Sequence, residues 1–108
     1  MSKKVLPIPC TKIGAVTVKD WFQKINEELD ELKEAIPAFW RVEAKYLFKD
    51  ALGRLDFKEL AHLEVVAEEA ADTITVITSM LEAMGIDEDM RQAAQKRVNE
   101  KNKERGRF

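Results

Sequence analysis

Residues 65–81 read VVAEEAADTITVITSML, and this stretch decides the fold. At about 100° per residue, its apolar side chains gather on one face of an α-helix. The β-branched run at 73–78 would also suit a strand, but it lies inside a longer helical pattern with no turn residues beside it. We therefore predict one long helix that opens at the capping signature Asp56–Glu59 and ends at Gly85.

The sequence before this stretch predicts an extended arm followed by a helix. Residues 1–16 contain two prolines and a glycine among mixed apolar residues, which suits an extended arm better than a helix. Thr17 and Asp20 have the spacing of a capping box, in which each side chain accepts from a backbone amide of the other residue. A first helix is therefore predicted over 18–36, and Pro37 ends it.

Two more helices complete the predicted architecture. Residues 38–52 suit a helix before Gly53, and Asp87 caps a final helix over 88–103. We predict a single all-α domain over 1–108, a four- to five-helix bundle occupying 17–104, with a short tail at 105–108. Because the last helix carries few apolar residues, we expect dimerisation to complete the bundle.

Composition excludes several classes of protein. Apolar residues make up 45% of the chain and charged residues 35%, which excludes a disordered tail or a collagen-like repeat. Cys10 is the single cysteine and can form neither an internal disulfide nor a thiolate zinc cluster. No leading apolar run resembles a signal peptide or a membrane span, so we expect a cytosolic protein without a membrane partner.

The net charge of −2 hides a separation of signs along the chain. It leaves no overall basic field of the kind that a nucleic-acid-binding module carries. The stretch 27–34 is acidic and contains only one basic residue, Lys33. Its acidic residues are Glu27, Glu28, Asp30, Glu31 and Glu34. Near the other end, with Glu100 and Glu104 as the only acids, the basic residues are Arg91, Lys96, Arg97, Lys101, Lys103, Arg105 and Arg107. Helix surfaces usually mix the two signs, so this separation calls for a functional explanation.

Two pairs of acids lie on or beside the apolar faces of the predicted helices. Glu69 falls inside the apolar face of the long helix with Asp72 beside it, and Glu28 lies at the edge of the apolar face of the first helix with Glu31 beside it. Facing ionised carboxylates would need a cation to neutralise them. Oxygen ligands one turn apart on two packed helices suit Mg²⁺, or Mn²⁺ in its place. The adjacent Glu68 is a rival to Glu69, and the helical phase favours Glu69.

Other interpretations fit parts of the pattern. An ExxE pair on a charged helix is commonly just a solvated face. Glu59 and His62 have the ExxH spacing of di-iron bundles, but those need two such motifs and His62 is the only histidine. A non-enzymatic helical interaction module remains the main alternative, and it should be indifferent to divalent cations.

The two acidic motifs resemble those of a known family. Glu27-Glu28-Leu-Asp-Glu31, followed by Glu69-Ala-Ala-Asp72, looks like the EExxE and ExxD motifs of the MazG-like all-α nucleoside triphosphate pyrophosphohydrolases. The resemblance extends from about Trp21 to the C-terminus, and the basic ending, Lys101 to Gly106, is like that of many phage-type members.

The resemblance implies an enzyme of nucleotide metabolism. In that family, Mg²⁺ on the acidic motifs binds a nucleoside triphosphate, and water attack between the α- and β-phosphates yields the monophosphate and pyrophosphate. The implied metal ligands are Glu28, Glu31, Glu69 and Asp72, and Glu31 is our candidate for the general base. The expected substrate-binding residues are Trp21, Lys24, Lys101, Asn102 and Arg105. A homodimer or a dimer of dimers is also implied, in the host cytoplasm if the protein is viral.

The interval between the motifs departs from the family pattern. It is longer than in most relatives and holds the aromatic residues Phe39, Trp40, Tyr46 and Phe48. These side chains either belong to the core or help to stack a base. The departure concerns the identity of the substrate more than the chemistry.

Overall fold

A computed structural model describes residues 4–36, 53 and 55–108. These residues form no strand, and their helices are α1 (Val18–Glu34), α2 (Phe57–Ala61), α3 (Leu63–Ala83) and α4 (Glu88–Glu104). The predicted all-α class is therefore confirmed over the described residues. The helix predicted over 38–52 lies outside them, so the four- to five-helix bundle and its dimerisation stay predictions.

The capping box at the start of α1 is confirmed. The Asp20 amide donates to the Thr17 hydroxyl oxygen over 3.1 Å, and the Thr17 amide donates to the Asp20 carboxylate over 3.0 Å. The helix ends slightly before the predicted limit, with Ala35 as its C-cap. The Ala35 amide reaches the carbonyls of both Glu31 and Leu32, which is the tightened last turn common at helix ends.

The predicted long helix is interrupted at one residue. The structure divides it into α2 and α3 at His62, which keeps helical backbone angles of φ −71° and ψ −13°. The His62 amide donates to the Lys58 carbonyl, and the Val66 amide donates to the His62 carbonyl, over 3.1 and 3.2 Å. The chain therefore runs on from α2 into α3, and backbone bonds of helical spacing both enter and leave His62.

Gly85 ends α3 as predicted. Its φ of +85° lies in the left-handed region, where a side chain would be strained. The Ile86 amide donates to the Leu81 carbonyl over 2.9 Å and the Gly85 amide to the Glu82 carbonyl over 3.0 Å, the two bonds of a Schellman motif.

Helix α4 begins immediately after this turn. The Met90 amide donates to the Asp87 carboxylate over 2.9 Å, which confirms the predicted cap. Arg91 links α4 to the end of α3 and to the turn between them. Its guanidinium donates to the Glu82 carboxylate over 2.6 Å and to the Ile86 carbonyl over 2.7 Å. No residue of α4 is buried.

The core lies between α1 and α3, which make the principal helix–helix contact among the described residues. Its buried apolar residues are Trp21, Ala35, Leu55 and Val76. The buried polar residues of the described part of the chain are Glu28, Thr73 and Ser79. Polar groups in so small a core need partners, and their placement determines the geometry of the functional site.

Residues 4–16, the predicted N-terminal arm, form neither helix nor strand. One hydrogen bond attaches the arm to α3, from the Cys10 amide to the Ser79 hydroxyl oxygen over 2.8 Å. Ser79 is 1% exposed and donates in turn to the Thr75 carbonyl over 2.7 Å. Within the described ranges, none of the helices has the length and apolar character required to cross a membrane.

Candidate metal centre

The contact between α1 and α3 brings acids of the two motifs together. Glu28, Glu69 and Asp72 can each present one carboxylate oxygen so that the three atoms lie within 4.8 Å of one another. Glu28 is on α1, whereas Glu69 and Asp72 are one turn apart on α3. The structure therefore brings Glu28 of the first pair together with both acids of the second pair.

Burial makes this cluster unusual. Glu28 is only 8% exposed. Its Oε2 atom and the Oε2 atom of Glu69 are buried and have no hydrogen-bond partner among the described residues. A buried carboxylate oxygen without a partner is costly, and a hard cation is the ligand that would satisfy several such oxygens at once. The residues present therefore fit a divalent metal ion.

Thr73 lies beneath the cluster, at 6% exposure. Its hydroxyl donates to the carbonyl oxygen of Glu69 over 3.0 Å and is also 3.4 Å from the carbonyl oxygen of Glu28. One small side chain therefore touches the backbone of both helices beside the buried carboxylates. Sequence reasoning missed this role and placed Thr73 only on the apolar face; its hydroxyl, one turn after Glu69, was the available signal.

Lys24 supplies the positive charge nearest to Glu28 among the described residues. Its Nζ atom is 3.3 Å from Glu28 Oε1 and 3.9 Å from Glu27 Oε2. The hydrogen bond with Glu28 raises the pKa of Lys24 above its ordinary value. Lys24 therefore pairs with one oxygen of Glu28, while the other oxygen is buried without a partner.

Glu31 lies beside the cluster and is exposed. The negative charge of Glu28 raises the pKa of Glu31, and desolvation and the charge of Glu69 add to the effect. Glu31 is not one of the three residues whose oxygens meet within 4.8 Å. Of the adjacent acids Glu68 and Glu69, the first is exposed and the second belongs to the cluster.

The other expected site residues occupy two places. Trp21 is buried in the core at 8% exposure. Lys101, Asn102 and Arg105 lie at the C-terminal end of α4, where the Asn102 side-chain oxygen accepts from the Arg107 guanidinium over 3.1 Å. Among the described residues, no hydrogen bond or ion pair joins these three side chains to the carboxylates.

Two further features of the sequence fall outside the cluster or outside the described residues. His62, which suggested the di-iron alternative, is exposed at the junction of α2 and α3. The aromatic residues Phe39, Trp40, Tyr46 and Phe48 lie outside the described residues.

An acidic cluster between two packed helices fits an all-α nucleotide pyrophosphohydrolase, and the comparison with known families assigns the chain to this class. The family model described as phosphoribosyl-ATP pyrophosphohydrolase matches residues 7–102. The chain therefore belongs to this family, which is related to the MazG-like proteins. No curated protein and no solved structure matches it.

Proposed function

We propose that this protein is a Mg²⁺-dependent nucleoside triphosphate pyrophosphohydrolase that converts a ribo- or deoxyribonucleoside triphosphate into the monophosphate and pyrophosphate. The observation that carries the proposal is the meeting of Glu28, Glu69 and Asp72 around two buried oxygens without partners. Membership of a pyrophosphohydrolase family supports the same chemistry.

The proposed metal ligands are Glu28, Glu31, Glu69 and Asp72. All of them are hard oxygen donors, which favours Mg²⁺ and permits Mn²⁺ as a substitute. When bound, the ion would neutralise the carboxylates and offset the negative charge of the phosphate oxygens. Glu28 and Glu69 gain most from such neutralisation, because each has a buried oxygen without a partner.

The residues around the ligands have proposed roles in the hydrolysis. Water attacks the α-phosphorus, its proton passes to Glu31, and the bond from the α-phosphorus to the bridging oxygen breaks, so that pyrophosphate leaves. Glu31 suits the role of base because it lies beside the cluster and is open to solvent. Lys24, whose ammonium group pairs with Glu28, is the proposed contact for the outer phosphate oxygens.

The remaining substrate contacts are proposed from the sequence. Trp21 is buried about two turns before Glu28 on α1, so its role would be to shape the floor of the site. Lys101, Asn102 and Arg105 would contact the phosphates or the sugar. Because their helix buries no residue in its own chain, we propose that they act within a homodimer or a dimer of dimers.

Exposed apolar side chains support this assembly. Phe22 on α1 and Ile74 on α3 are 56% and 53% exposed, although both helices belong to the core. Sedimentation equilibrium at micromolar concentration should therefore show a dimer or tetramer, and a monomer would contradict the proposal.

The basic residues near the end of the chain support a phage-type affiliation. The proposed place of action is then the host cytoplasm.

Two substrate classes contain the bond that this site would hydrolyse. The nucleoside triphosphates are the first, and phosphoribosyl-ATP, which the description of the family names, is the second. In both, the scissile bond joins the α- and β-phosphates. If nucleoside triphosphates are the substrates, the role of the enzyme would be to remove unwanted nucleotides or to supply monophosphates.

The test is incubation with phosphoribosyl-ATP and with a panel of canonical and modified nucleoside triphosphates. Each is incubated with Mg²⁺ or with EDTA, and chromatography identifies the products. We expect the monophosphate and pyrophosphate to form with Mg²⁺ and not with EDTA. Glu69→Gln should lose turnover, whereas the matched control Glu68→Gln should keep normal turnover. Release of orthophosphate, or no turnover of any substrate by folded protein, would contradict the proposal.

A further inference from the structure

Lys24 lies between two carboxylates of unequal burial. Glu28, at 3.3 Å, has a side chain that is 10% exposed, whereas Glu27, at 3.9 Å, has a side chain that is 54% exposed. Lys24 itself is 35% exposed on its side chain. Its ammonium group can therefore change partners by a small movement along the surface of α1, since residues three and four positions apart are neighbours on a helix.

The inner partner of Lys24 belongs to the proposed metal centre. Glu28 Oε1 faces Lys24, and Glu28 Oε2 is buried without a hydrogen-bond partner among the described residues. A divalent cation on this carboxylate would lie a few ångströms from the ammonium group. Like charges at that distance repel strongly in a partly buried site. Lys24 and the cation are therefore competitors for Glu28.

We infer that Lys24 is the exchangeable counter-ion of Glu28, which pairs with this carboxylate until a cation takes its place and then turns to the phosphate groups of the substrate. This inference rests on the proposed function and adds a regulation of the same site. The more exposed carboxylate of Glu27 offers Lys24 an intermediate partner, so that its ammonium group stays paired during the exchange. The negative charge of Glu31 also attracts Lys24.

The exchange makes a single substitution affect two ligands in opposite directions. Lys24→Met keeps an unbranched side chain one atom shorter and removes its charge. Without its competitor, Mn²⁺ alone should bind about tenfold more tightly, as followed by the EPR signal of the free ion. With Mn²⁺ saturating, inorganic pyrophosphate should bind Lys24→Met about tenfold more weakly than wild type, because a charged phosphate contact has been lost.

Matched variants separate this effect from general changes of charge. Lys33→Met removes a charge from an exposed position on the same helix and should leave both affinities unchanged. Lys24→Arg keeps the charge and should resemble wild type, while Lys24→Gln should resemble Lys24→Met. Thermal unfolding gives an independent reading: Lys24→Met should melt below wild type in EDTA and above it in saturating Mn²⁺.

The possible failures are distinguishable. If wild type binds Mn²⁺ but Lys24→Met and Lys24→Gln bind it equally or more weakly, the counter-ion role is wrong and the proposed metal centre stands. Equal pyrophosphate affinity in wild type and Lys24→Met would also overturn the exchange. If folded wild type binds no Mn²⁺, both the proposed function and this inference fail.

Discussion

The hydroxyl group of Thr73 lies 3.4 Å from the backbone carbonyl oxygen of Glu28, a residue 45 positions earlier in the chain. The same hydroxyl donates to the carbonyl of Glu69 on its own helix. The backbones of α1 and α3 therefore approach closely at the two positions that carry the most buried carboxylates. This approach is what allows side chains from separate helices to reach a common point.

Thr73→Val tests the importance of this approach. Valine has the same shape but no hydroxyl, so the variant should lose about 1 kcal/mol of stability and several-fold in Mn²⁺ affinity, measured by calorimetry. Thr73→Ser should retain the affinity. Thr78→Val is the matched control, because Thr78 makes the same bond to the carbonyl four residues earlier, over 2.8 Å, away from the cluster. Equal Mn²⁺ affinity in both valine variants would show that Thr73 does not position the site.

Glu69→Gln should reverse the effect of the cation on stability. In EDTA the variant should melt above wild type, because a charge with a buried oxygen lacking a partner has been neutralised. In wild type, Mg²⁺ at a hundred times its dissociation constant should add about 2.7 kcal/mol, and Glu69→Gln should lose this gain. Differential scanning calorimetry of Glu68→Gln provides the control. A Mg²⁺-induced shift that survives in Glu69→Gln would exclude Glu69 as a ligand.

The capping box predicts a pH dependence of stability at acidic pH. Hydrogen bonds from the backbone amides of Thr17 and Val16 hold the pKa of Asp20 below its ordinary value of 3.8. A carboxyl group whose pKa is lower in the folded state stabilises the fold above the unfolded value, and this contribution is lost as the pH falls through the folded value. The advantage of wild type over Asp20→Asn should therefore be constant near neutral pH and shrink below pH 3.8. Thermal unfolding followed by circular dichroism measures it, and a pH-independent difference would contradict the assignment.

Ser79→Ala should release the N-terminal arm. The variant removes the hydroxyl oxygen that accepts from the Cys10 amide, in the bond that attaches the described part of the arm to α3. Deuterium exchange should accelerate at Cys10 and its neighbours but remain slow in the middle of α1. Thr75→Val is a useful comparison, because it keeps the backbone carbonyl of Thr75, which accepts from the Ser79 hydroxyl. The bond from the arm to Ser79 does not involve the Thr75 side chain. Unchanged exchange at Cys10 in Ser79→Ala would show that other contacts hold the arm.

The features that sequence could predict are those with a local period or a local signature. The capping box at Thr17, the cap at Asp87 and the turn at Gly85 each depend on residues within one turn, and all three are confirmed. The facing acids were also accessible, because helical phase alone places Glu28 and Glu69 on the faces that pack together.

The features that sequence could not predict depend on contacts between distant residues. The bond between Cys10 and Ser79 joins positions 69 apart and follows no repeating pattern. The contact of Thr73 with Glu28 depends on how closely two helices approach, which the sizes of many side chains decide together. The interruption at His62 was likewise missed, because the helical pattern runs through it without a proline or glycine.

The placement of the three clustered carboxylates has a topological consequence. One of them precedes the long interval between the acidic motifs, and two follow it. A cation bound by all three would hold the two ends of that interval together in the folded chain, and its binding free energy would add to the free energy of unfolding. Metal binding would then act as a reversible cross-link, so that the concentration of divalent cation in the surroundings would set how long each molecule stays folded.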